Sequence, residues 1–133
     1  MKPMMRFLVA PAMLLGMAAP AFANGVVQVW HCEMSEGATE EQIEGIAMEW
    51  IKAIKGMDGG SEATLQVMFP VAVNATGQVD FQVVLRLPSF TAWGKMWDNY
   101  QDDSQAALAD ERNKGLADCP DSAVWEVADL EAK

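Results

Sequence analysis

Residues 26–34 read VVQVWHCEM. Its three valines and its tryptophan favour extended backbone, and neither glycine nor proline interrupts the run, which predicts a β-strand. The stretch holds the chain's single histidine, His31, and the first of its two cysteines, Cys32, beside Trp30. The elements C-terminal to this strand must fold back on it, so their order decides the architecture.

Working outward, residues 35–38 (SEGA) make a turn. Thr39 and Gln42 then stand at capping-box spacing, and Glu40 and Glu41 occupy a first turn where the helix dipole favours anions. Ile43, Ile46, Ala47, Trp50, Ile51 and Ile54 recur as one apolar stripe, Lys52 and Lys55 come last, and Gly56 can stop the run. The pattern predicts a helix over 39–55 with Trp50 in its core face. After a loop at 57–62 (MDGGSE) the period changes to two. Leu65, Val67, Phe69, Val71 and Val73 predict a strand over 64–73, which Pro70 confines to a sheet edge or marks with a bulge. A turn at 74–77 (NATG) separates it from Val79, Phe81, Val83, Leu85 and Leu87. Two such runs form an antiparallel hairpin whose odd positions face one core. Ser89 can cap a further helix with Trp93, Met96, Trp97 and Tyr100 on one stripe. A second helical piece runs to about Lys114. Residues 119–121 (CPD) are expected as a turn and 123–128 (AVWEVA) as the last strand.

The order β-α-β-β-α-β predicts an α+β, ferredoxin-like sandwich. Right-handed crossovers give an antiparallel sheet of order 4-1-3-2, with the helices on one face and 26–34 as a central strand.

The N-terminus is read as an export signal. Lys2 and Arg6 precede a short apolar run over 7–19, broken by Pro11 and Gly16, and Ala21-Phe22-Ala23 is an A-x-A site. The pattern predicts a bacterial Sec-type signal peptide over 1–23, cleaved after Ala23, and a single domain over 24–133 in the periplasm or outside the cell. The run is shorter than the roughly 20 apolar residues of a membrane span. Without Lys2 and Arg6, seven Lys and Arg face nineteen Asp and Glu, a net charge of −12. Such a surface repels nucleic acid and anionic lipid, so neither is expected as a partner. Two cysteines in an exported chain predict one disulfide, Cys32–Cys119. The predicted topology supports it independently, because the end of the first strand meets the start of the fourth.

On the second sheet face, Met68, Ala72 and Val84 mix with Gln66, Gln82 and Arg86. A partly apolar open face suggests a partner sheet, and a homodimer through that face is expected. Together with the helix Ser89-Phe90-Thr91-Ala92-Trp93-Gly94-Lys95-Met96-Trp97, this topology resembles the dimeric α/β-barrel group of ferredoxin-like proteins. In style that helix is similar to those of its NIPSNAP-like and stress-responsive members. The resemblance implies two sheets packed face to face across a twofold axis, and a ligand cavity between helix and sheet. The group spans cofactor-free monooxygenases, haem-degrading enzymes, isomerases and proteins without known activity, so the fold does not choose among them. Asn99, Trp93, Trp97 and His31 do not map position by position onto the Trp, Asn and His of the haem-degrading members, and no residue role is carried over.

Candidate chemistry is sparse. His31, with Glu33 two residues on, is the one candidate general base. Trp93, Trp97 and Tyr100 are candidates to line a pocket for a small apolar or aromatic ligand, with Arg86 as a cation near it. No GxSxG, P-loop, GxGxxG, HExxH or CxxCH motif occurs, and no cofactor or metal is expected. The leading expectation is a small-ligand-binding or accessory protein. The alternatives are a cofactor-independent monooxygenase or isomerase using His31, and a structural protein without a ligand site.

Overall fold

The computed structural model describes residues 25–72 and 79–128. The expected signal peptide and the turn at 74–77 lie outside the described residues. The chain runs β1 (Gly25–Met34), α1 (Glu40–Lys55), β2 (Thr64–Met68), β3 (Phe81–Leu87), α2 (Phe90–Asp98), α3 (Gln105–Asn113) and β4 (Ala117–Val127). The sheet order is β2-β3-β1-β4, the expected one written from the other edge, and all three pairings are antiparallel.

Local chemistry accounts for the helix starts. The Thr39 side chain accepts from the Gln42 N–H while the Gln42 side chain accepts from the Thr39 N–H, a complete capping box. At α2 and α3 the cap is one bond each: the Ser89 and Ser104 hydroxyl oxygens accept from the N–H groups of Ala92 and Ala107. The loop after α1 is held tightly. Gly59 has φ +83°, and a Cβ there would come within 2.4 Å of the Ala92 carbonyl oxygen in α2. Only glycine accommodates both the left-handed backbone and that approach.

Two strand boundaries differ from the sequence-based expectation. β2 ends at Met68, ahead of Pro70, because proline has no N–H to continue the ladder. β4 begins at Ala117, six residues before Ala123, so Cys119-Pro120-Asp121 is strand and not turn. Between His31↔Asp121 and Glu33↔Asp118 the register shifts, with one more residue on β4 than on β1. A bulge on an edge strand takes up the extra residue, and Pro120 is tolerated there.

Cys32 and Cys119 are joined in a disulfide across this bulge, with Cα atoms 4.0 Å apart. The helix-side face of the sheet buries two clusters. One gathers Ile54, Ala63, Leu85, Leu87, Met96 and Ala106, and the other Cys32, Ile43 and Phe81. Trp30, on the central strand, packs against both.

Candidate functional site

A cavity of about 390 Å³ opens where the two clusters meet, between the helix-side face of the sheet and the helices α1 and α3. Alternation along β1 turns Trp30 to this side, and the α1 stripe brings Ile43, Ile46, Ala47 and Trp50 over it. Trp97 on α2 and Tyr100 just beyond it complete the wall.

Four of these rings form a closed circuit. Trp50 meets Trp30 edge-on, with centroids 5.8 Å apart and planes at 85°. Trp30 meets Trp97 at 6.3 Å and 57°, and Trp97 meets Tyr100 at 4.9 Å and 50°. The circuit closes through the Trp50 indole N–H, which donates to the Tyr100 hydroxyl at 3.2 Å. None of these pairs is stacked flat, so the rings turn their faces in different directions.

Behind the wall, Gln28 is a polar residue in the apolar layer, 8% exposed. Its Oε1 accepts from the Trp93 Nε1–H at 2.8 Å and from the Trp97 Nε1–H at 3.0 Å. One amide oxygen thus satisfies two indole donors and fixes both rings against the sheet. The rim is polar. Asp110 and Asn113 come from α3, Lys114 from its end and Asp118 from β4. Lys114 pairs with Glu111, which raises its affinity for its proton. Burial pushes the Tyr100 phenol above its usual range; the Trp50 hydrogen bond works against this, and the charge of Asp110 adds to it.

The sequence candidates divide between the two faces of the sheet. Trp97 and Tyr100 line the cavity, together with Trp50, which periodicity alone assigns to the core. Trp93 packs in the core beside the cavity, tied to Gln28. His31 and Arg86 do not join them. His31 lies beside Gln82 and Asp121, one step out of phase with Trp30, and Arg86 lies beside Val27 and Thr64. Both therefore face away from the helices. A base at His31 acting on a molecule in the aromatic cavity is excluded by this placement. Gln28 gives no local signal in the sequence, because both faces of residues 26–34 mix apolar and polar side chains. Among the described residues no cluster of three or more His, Cys, Asp or Glu could hold a metal ion.

The open face carries Val27, Val29 and His31 on β1, Val84 on β3, and Ala123 and Trp125 on β4 in register. Met68 on β2 and Trp125 are 45% and 60% exposed. Among the described residues no helix is long and apolar enough to cross a membrane.

No family model and no curated protein matches the sequence. Solved structures do match. A protein from Arabidopsis thaliana superposes with a TM-score of 0.53 at 12% identity, over 81% of this chain and 98% of that one. A dabb family protein with a ferredoxin-like fold from Mesorhizobium loti gives 0.50 at 8% identity, over 81% and 99%. The fold is ferredoxin-like. A dimeric ferredoxin-like protein of unknown function from Thermobifida fusca reaches 0.46 at 18% identity, over 80% and 92%. At 12% and 8% identity the Arabidopsis thaliana and Mesorhizobium loti structures speak for the fold and not for an activity.

Proposed function

We propose that this protein is an exported binder of a small apolar or aromatic molecule, held in the cavity between α1, α3 and the sheet. The observation that carries the proposal is the cavity itself. At about 390 Å³ it lies within the range of small-molecule sites, and its lining is mainly aromatic and aliphatic, with the polar side chains of Asp110, Asn113, Lys114 and Asp118 among it. The indole donors of Trp50 and Trp97 are already spent on Tyr100 and Gln28. His31 stands on the opposite side of the sheet from this cavity, so it does not serve as a base for a molecule held there.

The same proposal includes a homodimer built through the open sheet face, as in the dimeric α/β-barrel group that the topology and the 89–97 helix resemble. Exposed Trp125 and Met68, in line with Val27, Val29 and Val84, support a partner sheet there. Export rests on the signal-like pattern of residues 1–23. The NIPSNAP-like and stress-responsive branch is the finer assignment suggested by that helix.

Binding is tested with 1-aminoanthracene, a neutral aromatic fluorophore. The expected result is saturable binding at one site per chain, abolished by Ala47→Trp, which fills the cavity from α1 by enlarging a small wall residue. Unsaturable partitioning, or saturable binding that Ala47→Trp leaves intact, overturns the assignment.

A further inference from the structure

The cavity wall is not held equally firmly on all sides. Resting on the binder reading, we propose that α3 and its flanking turns, residues 101–115, form a lid on the cavity, which opens as a unit while the sheet, α1 and α2 stay folded. Three observations carry this.

The first is position. Asp110, Asn113 and Lys114 line the cavity from this segment, while Ile43, Ile46 and Trp50 line it from α1. A molecule held between them gains or loses part of its enclosure when α3 moves.

The second is how little of the segment is built into the core. The side chains that α3 buries are Ala106 and Ala109. Leu108, the one large apolar residue of 101–115, is left 38% exposed. By contrast, α1 buries Ile43 and Ile54 and packs Trp50 and Ile51 against the core. Apolar stabilisation follows the area withdrawn from water, and two alanine methyls withdraw far less than two isoleucines. Polar contacts do not make up the difference. Arg112 pairs with Glu49 on α1, but both side chains are about half exposed, and an exposed pair of long side chains holds weakly. The other side-chain bonds stay within the segment or at its border. Gln101 donates to the Asp98 carbonyl, Asn113 donates to that of Ala109, and Lys114 pairs with Glu111. Asp110 acts on Tyr100, which stands at the segment's own edge.

The third is that both ends are pinned. Ahead of the segment, the Trp97 indole donates to Gln28 and the Tyr100 hydroxyl accepts from Trp50. Beyond it, the Leu116 carbonyl accepts from the Ser35 N–H, and Cys119 is bonded to Cys32. A lightly held stretch between two fixed points opens locally without unfolding its surroundings, which is the behaviour of a lid.

The test is hydrogen exchange read by mass spectrometry on the disulfide-bonded protein, free and with 1-aminoanthracene. Amides of residues 105–113 are expected to exchange about ten-fold or more faster than those of α1 and β1, and the fluorophore should slow them. Arg112→Gln should speed exchange in 105–113 alone. Glu49→Cys with Arg112→Cys, joined by a short bismaleimide, should slow both association and release of the fluorophore by about ten-fold. Exchange in 105–113 no faster than in α1 overturns the lid. So does a cross-linked protein that binds and releases the fluorophore at the parent's rates. If the fluorophore does not bind at all, the pocket reading fails on that result, and the exchange rates still decide whether α3 opens.

Discussion

Gln28 is the residue on which the cavity wall depends. It sits between Leu85 and Val124 in the sheet, where an apolar side chain would be ordinary, and its oxygen takes both indole protons. Gln28→Leu keeps the volume and strands two donors. Leaving a buried donor unpaired costs about 1–3 kcal/mol, so a loss of about 2–4 kcal/mol is expected in urea unfolding followed by tryptophan fluorescence. A second residue reports on the rim. Tyr100 is the chain's one tyrosine, so ultraviolet titration of phenolate reads it alone. Its pKa is raised from 10.0, chiefly by burial. The neutral phenol is therefore the form that the fold favours. Its contribution to stability is complete below the unfolded value and lost as pH rises through the folded one. The ionisation midpoint of the native protein should lie above that of the urea-unfolded chain, and Asp110→Asn should bring it down. A native midpoint at or below the unfolded one would contradict the burial of this phenol.

At the scale of elements, the junction of β1 and β4 is the informative one. The bulge puts Cys119 within bonding distance of Cys32 and lets Pro120 stand in an edge strand. The bridge closes a loop over a sequence separation of 87, which holds α1, α2 and α3 together with β2 and β3. Constraining so long a loop in the unfolded chain is worth about 3–5 kcal/mol. Removing both thiols with Cys32→Ala and Cys119→Ala should lower the unfolding free energy by about that much, with an intact-mass difference on reduction confirming the native bridge. The capping box, the serine caps and the α1 stripe were legible in the sequence because each depends on residues close together along one helix. The start of β4 was not. Cys-Pro-Asp carries turn chemistry locally, and the extended backbone there comes from pairing with a strand far away in sequence.

At the scale of the whole molecule, the sheet separates two surfaces of different character. One is covered by α1, α2 and α3 and encloses the cavity. The other is an open face on which Trp125 is 60% exposed. Trp125→Glu places a charge beside Val27 on that face. It is expected to shift the protein from dimer to monomer in sedimentation velocity while far-ultraviolet circular dichroism stays unchanged. A monomeric parent protein would refute dimerisation through this face.

Hydropathy periods of two and 3.6, read along the chain, were enough to determine the element order, the sheet order and the buried face of the hairpin strands, because those faces are local properties and crossover handedness leaves few topologies; the buried face of residues 26–34 was not among them, since both of its faces mix apolar and polar residues. The cavity was beyond that reach. Trp97 and Tyr100 were pocket candidates from the sequence, but Trp30 and Trp50 lie on other elements and each reads alone as an ordinary core position. Whether four large rings fill a space or surround one depends on how the elements that carry them pack at a distance. Gln28, and the division of His31 and Arg86 from the aromatic wall, were decided in the same way, by tertiary register.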